Sequence, residues 1–135
     1  MSLDIDRVFD CVRPKETNPT ITPFRGVRYN SEKDQIEVIA EPHPVIQLTE
    51  YNPLVLIQKY EGEETSICIG FYIKNAKRLC VSHGLPIFGP TLVSRILRVL
   101  CIDGISERAK EQIKTIALPL LLKHHIDEFE FPIPK

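Results

Sequence analysis

The hydrophobic period changes once along this chain, and that change limits its fold more than any other feature. From Ile21 to Ile73 apolar residues recur at alternate positions between turn-forming clusters, the period of a pleated strand. From Leu92 to Leu120 they recur at i, i+3, i+4 and i+7, the period of a helix with one buried side. Strands gathered first and helices gathered last exclude an alternating βαβ chain and predict an α+β fold. Short turns between consecutive strands predict antiparallel pairing.

Within the strand half, "PFRGVRYN" and "QIEVIA" flank the tetrad "SEKD", a hairpin. The two prolines of "EPHP" end pairing there. Then come "VIQL", the turn "EYNP", "LVLIQKY", the turn "EGEE" and "TSICIGFYI". Strict alternation in the last run puts Ile67, Ile69, Phe71 and Ile73 on one face, with Ser66, Cys68, Gly70 and Tyr72 on the other. "LCVS", 79–82, reads as one more short strand, and residues 127–135 as an edge strand or extended tail. The sheet expected is antiparallel, of about five or six strands.

Ile5, Val8, Phe9 and Val12 predict a short N-terminal helix capped by Ser2, followed by a loop at 13–20. Leu92, Val93, Ile96, Leu97 and Leu100 form the apolar face of a second helix. A third is capped by Ser106 and buries Ala109, Ile113, Ile116, Ala117 and Leu120. Pro119 kinks or ends it, because proline has no N–H and crowds the preceding turn. The two C-terminal helices pack on one face of the sheet, and a chain of 135 residues is the ordinary length of a single domain, 1–135.

Charge bears on partners. Seventeen Lys and Arg against eighteen Asp and Glu leave −1, which argues against whole-surface attraction to phosphate or anionic lipid. No apolar run approaches the roughly 18 residues of a membrane span, so no membrane partner is expected. Cys11, Cys68, Cys80 and Cys101 are far apart, mostly inside apolar runs, and read as free thiols of a cytoplasmic or nuclear protein. No catalytic residue, metal site or cofactor is assigned, because no paired ligand motif, nucleophile elbow or phosphate loop is present.

Three surfaces are candidates. "LPLLL", 118–122, is apolar all round, and Leu118, Leu120, Leu121 and Leu122, with Phe129 and Phe131 of the edge strand, are the interface expected for a protein partner or a homodimer. "LCVSHGLPIFGPT", 79–91, brings Cys80, His83, Gly84, Gly89 and Thr91 together as the ligand-binding loop of a small-molecule or anion binder or an enzyme. Against it, two prolines and two glycines suffice to turn a strand into a helix without a ligand. Arg25, Arg28, Lys74, Lys77 and Arg78 supply a basic strand face for nucleic acid, which the acidic turns beside it disfavour. "RVLCIDG", 98–104, resembles the strand and glycine turn that open patatin-type lipases, but Ile105 follows Gly104 where that family continues with glycine, and no GxSxG serine exists in the chain. The expectation is a non-catalytic protein-interaction or assembly module, ahead of a ligand binder and then a nucleic-acid binder.

Overall fold

Five strands form an antiparallel sheet in the order β1-β2-β5-β4-β3, and the architecture is α+β. The computed structural model describes residues 24–43, 46–60, 65–102 and 105–132, so the helix and loop expected within 2–20 lie outside the described residues. β1 (Gly26–Asn30) and β2 (Gln35–Ile39) make the hairpin around "SEKD", in register from Asn30 opposite Gln35 to Gly26 opposite Ile39. β3 (Gln47–Tyr51), β4 (Leu54–Tyr60) and β5 (Ser66–Lys74) follow, with β5 paired between β2 and β4.

One alternation is broken. Ile57 pairs with Gly70 but Gln58 pairs with Cys68, so Ile69 is an extra residue in β5. A bulge of this kind flips the face of everything on one side of it. Phe71 and Ile73 face the main core, whereas Ile69 joins Ile39 and Ile57 in a smaller cluster on the opposite face, and Ile67 is exposed. The single apolar face expected from Ile67 to Ile73 is therefore split.

Residues 79–82 are helix, not strand. They belong to α1 (Ala76–Ser82), which buries Ala76 and Cys80, four residues apart, in the main core. Asn75, at φ 57°, turns the chain out of β5. The start of α1 is capped from the β1–β2 turn: the Asp34 carbonyl accepts from Ala76 N–H at 2.9 Å, and its carboxylate accepts from Lys77 N–H at 2.8 Å. That carboxylate also accepts from the Tyr29 hydroxyl at 2.7 Å. Burial first, and then this bond to an anion, push the Tyr29 phenol up.

A second sheet pairs β6 (Gly89–Leu92) with β7 (Glu128–Phe131). Pro90 and Thr91 thus lie in a strand, not at the head of a helix, and α2 (Val93–Ile102) begins after them. Arg98 to Ile102 are helical, unlike the strand of the lipase likeness. The next helical path runs from α3 (Glu107–Gln112) through a π-helical turn (Ile113–Ala117) into α4 (Leu118–His124). Ser106 Oγ accepts from Ala109 N–H at 3.1 Å, the expected cap. Pro119 opens α4, and the wider turn before it carries the helix past the missing N–H without ending it.

The helices and β7 pack on one face of the five-stranded sheet, where Ile36, Val38, Leu54, Leu56, Phe71 and Ile73 share one core with side chains of the helices and of β7. Phe131 stands edge-on to Tyr29 at 5.1 Å and to Phe129 at 4.9 Å. On the opposite face Glu37, only 6% exposed, accepts from Arg28 at 2.8 Å, Gln35 at 2.8 Å and Asn30 at 3.1 Å. Burial pushes this carboxyl up, but the three donors outweigh it and hold the group below the ordinary glutamate range.

Candidate functional site

The glycine- and proline-rich loop is a helix terminus. Gly84, at φ +74°, follows His83 at the end of α1; its N–H donates to Val81 O at 3.1 Å, and Leu85 N–H donates to Cys80 O at 2.8 Å. These two bonds define a Schellman cap. His83 Nδ1 lies 2.9 Å from Leu79 O and donates to it, so this ring also serves the helix end. Cys80 is 1% exposed, and burial, with Asp34 adding to it, pushes its thiol up to about 11. Gly89 and Thr91 belong to β6, where Thr91 pairs with Phe129. The five loop residues are thus divided between the end of α1 and β6, and the Cys80 thiol is buried in the core.

The basic residues are divided in the same way. Arg28 pairs with Glu37 and stacks on Phe24 at 4.7 Å, and Lys74 pairs with Glu50 at 2.6 Å. Arg25 donates to Ala40 O at 3.0 Å and to His124 O at 3.3 Å, tying the start of β1 to the end of α4. Lys77 sits 5.2 Å over the Tyr29 ring, and Arg78 is exposed on α1. Four of the five are engaged within the fold, and they are split between sheet and helix. Among the described residues no three of His, Cys, Asp and Glu come together, and no helix is long and apolar enough to cross a membrane.

Of the apolar residues around "LPLLL", Leu120, Leu121, Phe129 and Phe131 are buried in the main core, Leu118 is half-buried, and Leu122 is 78% exposed. The helix that carries the four leucines borders a cleft of about 440 Å³, whose lining includes Ser94 and Arg98 of α2, Lys114 of the π-turn, Leu118, Leu121 and Leu122 of α4, and Asp127. Spacing by four explains the lining: Ser94 and Arg98 are one turn apart on α2, and Lys114, Leu118 and Leu122 form a stripe on the facing helix.

One end of the cleft is closed by the cap of α2. Asp127 O accepts from Val93 N–H at 2.8 Å, and its carboxylate accepts from Ser94 N–H at 2.7 Å and from Ser94 Oγ at 2.6 Å. Both carboxylate oxygens are thereby committed to Ser94. Arg98 and Lys114 lie further along their helices, and among the described residues neither has a hydrogen-bond or ion-pair partner. The site therefore offers apolar side chains beside two cations that form no ion pair among the described residues. Sequence reading places Arg98 and Lys114 on solvated helix faces; their separation along the chain hides that these faces look at each other.

His125, which borders the same cleft, holds the position that glycine usually takes. It lies at φ 56°, its N–H donates to Leu122 O at 3.4 Å, and Ile126 N–H donates to Leu121 O at 3.2 Å, a second Schellman cap. A left-handed conformation costs an L-residue about 1–2 kcal/mol, part of which glycine returns through its freer unfolded chain. His125→Gly is therefore expected to raise stability by about 0.5–1 kcal/mol in urea denaturation. A lower midpoint than the parent would show that the imidazole makes a contact worth more than the strain.

No protein family model matches the chain, and no curated protein or solved structure is significantly similar to it.

Proposed function

We propose that this chain is a non-catalytic protein-interaction module that docks a partner in the cleft between α2 and α4. The observation that carries the reading is the pairing of an apolar stripe, Leu118 and Leu122, with Arg98 and Lys114, two cations that form no ion pair with any described side chain. Arginine is enriched at interface centres, and the exposed leucine beside it supplies apolar area for a partner to cover. The reactive groups serve the fold instead: Cys80 is core, His83 closes α1, and Asp127 caps α2.

A photo-crosslinking side chain placed at Leu122, and in a second variant at Tyr60 on the far end of β4, tests this in cells. Both positions are more than half exposed. The expected result is one defined adduct from position 122, a partner protein or a second copy of the chain, that is lost when Arg98→Glu is added. Equal labelling from both positions, or an adduct indifferent to Arg98, overturns the reading.

A further inference from the structure

We infer that the occupant of this cleft is an acidic peptide segment, whose carboxylate meets Arg98 and Lys114 while an apolar neighbour lies on Leu118 and Leu122; this rests on the cleft being a docking surface. Electrostatic complementarity selects the occupant. Asp127 is the acid among the cleft residues; its carboxylate is bonded to Ser94 and forms no ion pair with Arg98 or Lys114, and one acid against two cations leaves the lining with a net positive charge. Arg95 and Lys123 are further exposed cations on the same two helices. The protein as a whole carries −1, so this positive region is local and an acidic sequence is drawn to one place on the surface.

The walls determine the second half of the requirement. Leu118, Pro119 and Leu122 offer no donor or acceptor from their side chains, so a bare anion would leave them in water. A peptide in which Asp or Glu stands beside Leu or Phe satisfies both parts of the cleft. A volume of about 440 Å³ admits a few such side chains rather than a folded domain. Amphipathic segments laid into grooves between helices are a recurrent mode of peptide recognition.

Selection of random displayed peptides on the immobilised full chain supplies the probe, and the selected peptides are then measured by fluorescence anisotropy. Arg98, Lys114 and Leu122 are exposed, so Arg98→Glu, Lys114→Glu and Leu122→Asp keep the fold, which circular dichroism checks. The expected peptides carry Asp or Glu next to Leu or Phe. Either charge reversal weakens them at least about tenfold, and exchanging the peptide's acid for lysine restores binding to the reversed variants. Neutral or basic peptides that bind the parent and are lost with Leu122→Asp overturn the acidic occupant but leave the docking surface standing. Peptides indifferent to all three variants overturn both. Displacement of the peptides by an oligothymidine strand in an Arg98-dependent way overturns the inference in favour of a nucleic-acid polyanion.

Discussion

Gly70→Ala is expected to lower the melting temperature by roughly 10 °C, the largest effect of adding a Cβ at any of the described glycines. A Cβ built on Gly70 lies 2.3 Å from Val38 O and 3.2 Å from Ile39 Cα, both backbone atoms of the paired strand β2. Neither can rotate aside, so the β2–β5 ladder itself has to open. Overpacking of this kind costs about 3 kcal/mol. The bulge adds to the loss, because Ile69 O accepts from Ala40 N–H at 2.8 Å and Glu41 N–H at 3.3 Å, bonds that depend on the same approach of the two strands. Gly84→Ala is the control: φ there is +74° but nothing lies within 4 Å, so the cost is confined to backbone strain, about 1 kcal/mol. A Gly70→Ala protein that melts within a few degrees of the parent would show that the strands do not approach as described.

These two glycines also show what a sequence can and cannot disclose. Gly84 was recognisable as a turn residue because prolines and a histidine follow and precede it locally. Gly70 was not, because its neighbour is Val38, on another strand. The same distinction runs through the fold. The hairpin at "SEKD", β4 and the apolar face of α2 are legible because each is encoded within a dozen residues: alternation, a turn cluster, a helical stripe. Residues 79–82 read as a strand in sequence because the cap of α1, Asp34, is 43 residues away from Lys77 and the buried positions of the helix are only Ala76 and Cys80. β6 was concealed by Pro90, which a two-stranded ribbon tolerates where an inner strand would not. The candidate site was the least legible part. Its cations come from α2 and the π-turn and its end wall from the residues before β7, so no local window contains it.

Leu121→Asp and Leu122→Asp, one residue apart on α4, are expected to have opposite consequences. Leu121 is 3% exposed and belongs to the core shared by sheet and helices. Removing such a leucine costs about 2–5 kcal/mol through lost burial and the cavity left behind, and a carboxylate in its place adds an unpaired charge. The sum, at least about 5 kcal/mol, reaches the whole stability of a typical domain. Leu121→Asp should therefore lose its cooperative melting transition and bind a dye of exposed apolar surface. Leu122, 78% exposed, should accept aspartate with a change of no more than about 0.5 kcal/mol, so that the protein stays folded. Leu122→Asp should nonetheless lose the partner, since it puts a negative charge into an apolar stripe beside the place where an acidic segment has to lie. If Leu121→Asp instead stays folded and only its association changes, Leu121, which also borders the cleft, is part of the docking surface and not of the core.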